Sequence, residues 1–394
     1  MGHFHNEHEP LGGKLVTKTT VVCAALALIA AILLAKRMVL GLGSVTNLNN
    51  GYPWGIWIAY DVVIGTAFAC GGYAMALVCY ILNKGEYHPL VRPALLASCF
   101  GYTLGGVSIL FDLGRWWNAW HILVPQYMQP NSVMFEVALC VMSYILVLWI
   151  EFAPAILTKF RLTHLRKKLD KVLFVFVALG CLLPTMHQSS LGTLLVVLGY
   201  QIHPLWQTPL LPLLFLCSAI CMGFSIVVFE AVLGSAGFKR SIKHEMPQLA
   251  KIARIVQGFM VVYLVLRFGD LAVRGELGSI FTSGLRSLMF VVEIVLFATP
   301  VVLFARARNR ATRQGLFVGA VAMLLGGALY RLDAFLVAYD TGPGWSYFPS
   351  VSELMVTFGI IAAEVLLYIV FVRKLPVFYT HKLTPADLAA AHEK

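Results

Sequence analysis

The chain has 394 residues, 59% of them hydrophobic and only 12% charged, and its mean hydropathy is +0.80. Soluble domains carry roughly 25% charged residues, so a soluble enzyme is excluded. Ten spans of about 22 residues, the length a bilayer core demands, leave no room for a large soluble domain. The formal charge of +11 does not point to nucleic acid, because the cations sit in short clusters between apolar runs rather than on one folded face.

In chain order, an N-terminal tail over 1–18 precedes apolar runs at 19–40, 56–82, 93–113, 132–157 and 172–187, then at 209–235, 249–268, 285–305, 314–336 and 352–373. The sequence thus predicts an all-α integral membrane protein whose membrane domain covers 19–374, followed by a C-terminal tail over 375–394. Lys36 and Arg37 directly follow the first run and no small-residue cleavage pattern stands before the second, so the first run is expected to stay as a helix. Between the fifth and sixth runs, Leu191 to Leu198 is apolar but too short to span. It is expected to be re-entrant or surface-lying, which is tolerated at depth only where buried in protein or beside a cavity.

With a cytoplasmic N-terminus, 23 of the 30 Lys and Arg fall on inner segments, so the positive-inside rule places both tails in the cytoplasm. Trp116, Trp117, Trp120, Trp206, Trp345, Tyr200, Tyr347 and Phe348 lie in or near outer loops, where aromatics ordinarily form the interfacial belt. The eight cysteines all lie inside apolar runs without a CxxC pair, which indicates packing rather than a disulfide framework, zinc or iron-sulfur site.

A weak repeat is visible. Ser132-Val133-Met134-Phe135 opens the fourth run and Ser287-Leu288-Met289-Phe290 the eighth; Asp112-Leu113-Gly114-Arg115 ends the third and Arg267-Phe268-Gly269-Asp270 the seventh. A shift of four helices preserves orientation. It predicts two parallel four-helix bundles, spans two to five and six to nine, flanked by spans one and ten.

An ionisable residue at the bilayer centre costs about 3 kcal/mol on insertion scales and usually faces a partner or an interior path. By this topology Asp61, Asp112, Glu136, His187, Asp270, Arg331, Asp333 and Glu353 fall near outer ends of spans. Glu293 and Glu364 fall near the middle, Glu151 and Glu230 toward inner ends, and Arg92 at the inner mouth of span three. Asp112 with Arg115, and Arg267 with Asp270, have the i, i+3 spacing of local helical pairs. Glu136, His187 and Glu230 lack such a neighbour, and Glu230 has no basic residue within four positions. An arginine from another span, such as Arg92, would hold Glu230 purely for packing; an unpaired Glu230 suits reversible protonation.

His187 follows Pro184 and precedes the polar cluster Gln188-Ser189-Ser190, near the expected end of its helix. A histidine beside a carboxylate suits a quinone carbonyl, whose reduction takes a proton at each oxygen, and would equally suit a capping role. No two of the eleven histidines fall mid-span where they could face each other across a haem, so no b-type haem is expected and electrons must come from a partner.

Gly41-Leu42-Gly43-Ser44-Val45, Pro53-Trp54-Gly55-Ile56-Trp57, Tyr87-His88-Pro89-Leu90-Val91-Arg92-Pro93 and Leu183-Pro184-Thr185-Met186-His187-Gln188-Ser189-Ser190 together resemble the polysulfide-reductase/NrfD family of quinone-interacting membrane subunits. Within it the motifs are most similar to membrane subunits of nickel-iron hydrogenases, over about Leu11 to Pro376. The resemblance implies a bacterial inner-membrane protein that docks a ferredoxin-like iron-sulfur subunit and, through it, the hydrogenase large and small subunits. It also implies a site for a quinone, menaquinone or ubiquinone, toward the periplasmic side, with no covalently bound or metal-ligated cofactor in the chain. Tyr102, Glu136, His187 and Asp61 are carried over as the quinone group, and Glu230, Arg92 and Asp112 as proton-transfer residues. The competing reading, from the buried carboxylates and the broken fifth run alone, is a secondary transporter or ion channel.

Overall fold

The computed structural model describes residues 7–380; the chain segments 1–6 and 381–394 lie outside them. Among the described residues, ten helices are long and apolar enough to cross a membrane. They are Lys18–Leu40, Trp57–Ile81, Gly85–Asp112, Val133–Lys159, Leu173–Gln201, Leu211–Gly237, Met246–Val273, Leu285–Ala305, Arg313–Val337 and Val351–Lys374, here spans one to ten. Span three begins earlier than expected because Pro89 occupies its first turn, where a missing N–H breaks no bond.

Span five corrects the sequence reading. Its helix runs unbroken over Leu173–Leu198, so the Leu191–Leu198 segment is the far half of a span and not a re-entrant piece. Pro184 cannot donate to the helical ladder, but the Thr185 hydroxyl donates to the Cys181 carbonyl at 2.8 Å, an accommodation typical of spanning helices. The polar cluster that resembled a terminus is interior: Gln188 donates to Thr66 of span two and Ser190 to Glu136 of span four, while Ser189 donates to the Met186 carbonyl of its own helix.

Spans two to five pack as one four-helix bundle and spans six to nine as a second, as the repeat predicts. Spans two and six form the seam; 83% and 72% of an 18-residue apolar stretch in each is buried, against 11% for span one. Lipid gives apolar helices no hydrophobic drive to associate, so small residues that admit close backbone approach decide such a seam. A Cβ on Gly223 of span six would lie 2.5 Å from the Cys70 carbonyl oxygen of span two. Span two is irregular there, with π-helix over Trp57–Ile64 and Leu77–Ile81 and a turn at Ala69–Cys70 between them. Such π segments are frequent at functional sites. The Pro53–Trp57 motif locks this span in place: the Trp54 indole donates to the Phe335 carbonyl of span nine and the Trp57 indole to the Glu353 carbonyl of span ten.

Spans one and ten pack on each other, and span ten also lies against spans two and three. Strand β1 (Glu7–Glu9) pairs antiparallel with β2 (Phe378–Thr380), so both tails sit at one end of the bundles, the tail face. The opposite end is the far face. Its loops expose Trp116, Trp117, Trp120, Trp345 and Phe348, as a belt would, but Trp206 is fully buried and donates to Glu293 at 2.8 Å.

Candidate functional site

The centre of the first bundle holds a hydrogen-bonded pair. Tyr102 of span three and His187 of span five are both fully buried, with the phenolic oxygen 2.7 Å from His187 Nε2. Tyr102 is held edge-on by Tyr144 of span four, ring centroids 4.5 Å apart, and its hydroxyl lies 3.5 Å from Cys70 Sγ at the break in span two. Either the phenol donates to Nε2 or the imidazole donates to the phenol, depending on the tautomer, so one proton can serve both groups. His187 Nδ1 has no partner among the described residues. The helix runs on for eleven residues past His187, about 16 Å of rise, so the pair lies well inside the bundle. This corrects the expected placement of His187 at an outer span end.

Behind the pair stands an arrangement that the sequence did not reveal. The Gln188 amide lies 3.3 Å from His187 Nε2 and donates to Thr66 Oγ1 at 3.3 Å, while its carbonyl accepts from Arg331 Nη2 at 3.3 Å. Arg331, fully buried on span nine, has only neutral acceptors among the described residues: besides Gln188, the Phe215 and Gly327 carbonyls, the Ser218 hydroxyl and Met222 sulfur. Its guanidinium lies 5.2 Å from the Phe215 ring centroid. An arginine in an apolar run is the available signal, but only the packing of the two bundles joins it to span five.

Glu136 accepts a hydrogen bond from Ser190 at 2.8 Å, one helical turn beyond His187 on the same span. It is half-buried at the start of span four. Asp61 lies elsewhere: its carboxylate accepts from Thr357 of span ten at 3.1 Å. Asp112 sits at the far end of span three, where the Arg37 guanidinium binds the Phe111 and Leu113 carbonyls on either side of it. The pairing of Asp112 with Arg115 does not form among the described residues. Asp270 likewise pairs with Arg274 and Thr208, whereas Arg267 faces the Phe290 and Tyr330 rings.

Glu230 lines a small cavity of about 20 Å³, room for about one water, toward the tail face, together with Tyr368, Arg240, Glu245 and Phe378. Its Oε2 has no hydrogen-bond partner among the described residues. Arg92 does not hold it; that guanidinium donates to the Pro376 carbonyl at 3.1 Å, so the packing pair weighed from the sequence is not formed. The site therefore gathers Tyr102 and His187 in contact, joins Glu136 to Ser190 one turn along span five from His187, and leaves Asp61, Asp112, Arg92 and Glu230 apart.

Residues 44–339 match the family described as polysulphide reductase, NrfD. The chain belongs to this family. This NrfD-family chain is 46% identical over 94% of its length to the probable Ni/Fe-hydrogenase 2 b-type cytochrome subunit of Escherichia coli (strain K12), covering 95% of that protein. It is 28% identical over 58% of its length to the menaquinone reductase integral membrane subunit of Nitratidesulfovibrio vulgaris, covering 56% of it. With a selenate reductase subunit of Mesobacillus selenatarsenatis it shares 21% identity over 92% of the chain and 94% of that protein.

The name of the Escherichia coli relative raises a b-type haem. His187 is the one fully buried histidine among the described residues, and its Nε2 is turned to Tyr102. No second histidine faces it among them, so the residues do not fit an axial pair.

Proposed function

We propose that this chain is the quinone-reactive membrane subunit of a respiratory oxidoreductase in the bacterial inner membrane, and that the oxidoreductase is a nickel-iron hydrogenase. The Tyr102–His187 pair carries the reading: two buried groups that share a proton suit a quinone oxygen taking up a proton as it is reduced. The near full-length likeness to a hydrogenase 2 subunit supports the choice of hydrogenase, and the menaquinone reductase relative supports quinone as substrate.

In this reading the tail face is cytoplasmic, which the excess of Lys and Arg on that side supports. The far face then receives a ferredoxin-like iron-sulfur subunit, which relays electrons from the hydrogenase large and small subunits, and lipid surrounds the spans. The chain carries no redox centre of its own and is silent without these partners. Hydrogen oxidation on the partner releases two electrons, and quinone plus two electrons and two protons gives quinol here. The quinone head enters beside Glu136 and Ser190 and reaches His187 and Tyr102. His187 and Tyr102 deliver protons to its oxygens, while Arg331 supplies a fixed positive charge that favours the more electron-rich, reduced ring. Glu230 and Arg92 open the proton supply from the cytoplasm; Asp61 and Asp112 belong to the far half.

The test is a cryo-EM map of the complete complex with a quinone analogue. The expected headgroup has an oxygen within hydrogen-bond reach of His187 or Tyr102. A headgroup bound elsewhere overturns the assignment.

A further inference from the structure

The route between Glu230 and the Tyr102–His187 pair is unassigned, and span ten supplies a group for it. We propose that Glu364, on this span outside both four-helix bundles, is the carboxylate relay that passes protons from Glu230 to the Tyr102–His187 pair. The proposal rests on the proton-supply role given to Glu230 and extends it by one named residue.

Thr357, Glu364 and Tyr368 are spaced seven and four residues apart, which puts all three within about 40° of one line along the helix. Both outer members of this stripe face interior polar groups. Thr357 donates to the buried Asp61 carboxylate at 3.1 Å, and Tyr368 lines the Glu230 cavity. Glu364 therefore faces inward between two groups already engaged with the first bundle and the cavity.

Gly101 fixes its position against span three. A Cβ on that glycine would stand 3.2 Å from Glu364 Oε1 and 2.6 Å from the Ala69 Cβ. The carboxylate thus rests on the backbone of the residue before Tyr102, beside the turn at Ala69–Cys70 that interrupts span two. Glu364 is also within electrostatic range of Glu230, which shares its cavity with Tyr368 one turn along from Glu364. Neither Glu364 nor Glu230 makes an ion pair among the described residues. A carboxylate kept in a span for packing is expected to have a cation against it; two acids within range of each other and without one suit a shared, mobile proton.

The cavity opens the same line toward the tail face. At its mouth Arg240 and Glu245 form an ion pair, and the Arg240 guanidinium lies 4.6 Å from the Phe378 ring centroid of β2. A proton entering there reaches Glu230 and passes to Glu364, which Gly101 seats against the Ala69–Cys70 turn; Cys70 Sγ, 3.5 Å from the Tyr102 hydroxyl, continues the line to the pair once Tyr102 or His187 has given its proton to a quinone oxygen. The two electrons arrive separately from the iron-sulfur partner, so the relay moves protons only.

The experiment uses the complete complex in proteoliposomes, with hydrogen as reductant and a soluble menaquinone analogue as acceptor. Glu364→Gln keeps size and hydrogen-bonding capacity but cannot carry the proton. It is expected to slow quinone reduction by about tenfold or more, with an enlarged solvent isotope effect, unchanged KM for the analogue and unchanged dye-linked hydrogen oxidation. Glu364→Asp, which retains a carboxyl, is expected to recover part of the rate; it also carries the test if the glutamine variant does not assemble. If Glu230→Gln slows the reaction while both Glu364 variants turn over within about twofold of wild type, the Glu364 relay is wrong and the Glu230 role stands. Wild-type rates in the Glu230 and Glu364 variants alike would remove the whole supply route.

Discussion

Tyr102 and His187 are separated by 85 positions in sequence, yet their side chains meet at 2.7 Å with no solvent exposure on either. The contact exists because span five continues through Pro184, which carries His187 inward to the level of Tyr102 midway along span three. Tyr144 presses on the phenol ring and Gln188 approaches the imidazole nitrogen, so the pair is held by packing as well as by its own hydrogen bond.

Removing either partner is expected to abolish quinone chemistry without dismantling the complex. Tyr102→Phe keeps the ring against Tyr144 and loses only the hydroxyl; His187→Ala loses the imidazole. Both are expected to lower hydrogen-dependent quinone reduction by about a hundredfold, while dye-linked hydrogen oxidation by the partner subunits stays intact. Loss of both activities together would mean failed assembly; normal quinone reduction would refute the site.

Glu136→Gln is the gentler test of the same region. The amide still accepts from Ser190, so the span four to span five contact persists, but the acid is gone. The expected result is a fall of about tenfold in quinone reduction with normal co-purification of the partners. An unchanged rate would make Glu136 a structural acceptor for Ser190.

The spans were legible because long apolar runs have few alternatives in a bilayer, and the two bundles were legible in the Ser132/Ser287 repeat. The course of span five was not, since Pro184 and the cluster His187–Ser190 look like a terminus when read locally. Their partners Tyr102, Thr66 and Glu136 lie on other spans, 50 or more positions away, and are invisible to local spacing. The same limit explains Arg331 and Gln188, joined across 143 positions, and the failure of the Arg267–Asp270 spacing, where Arg274 one turn on takes Asp270 instead.

Arg331 is expected to matter for stability as well as chemistry. Arg331→Met leaves Gln188, Ser218 and the Phe215 carbonyl without their shared donor. A loss of about 1–3 kcal/mol is expected, seen as a lower melting temperature of the purified complex, together with slower quinone reduction. Arg331→Lys, which keeps the charge but not the fan of donors, should fall between the two. Wild-type melting of the methionine variant would remove the holding role.

The pairing of the two tails should weaken in acid. Burial, with Arg92 and Arg166 nearby, lowers the His8 pKa from 6.5 to about 4. The unpaired tail therefore binds more protons than the paired one between these values, and pairing is fully favoured above pH 6.5 and progressively lost as pH falls toward 4. Amide hydrogen exchange at Glu7–Glu9 and Phe378–Thr380, referred to the intrinsic rate at each pH, should show less protection at pH 5 than at pH 7. His8→Phe should flatten that difference; an equal difference in the variant would assign it to another group.

Glu230→Gln should separate proton supply from quinone binding. Glu230 lies seven residues inside the tail end of span six, against a cavity and without Arg92 as a partner. If protons reach the quinone from that side, they cross part of the membrane, and the work of moving them changes with the transmembrane potential by about 2.3 kcal/mol per charge per 100 mV for a full crossing. The variant is therefore expected to keep the wild-type KM for a quinone analogue, to turn over more slowly, and to lose the response to an imposed potential or an uncoupler. A variant that responds to both as the wild type does would make Glu230 a packed carboxylate and return the proton route to the far face, through Asp61 and Asp112.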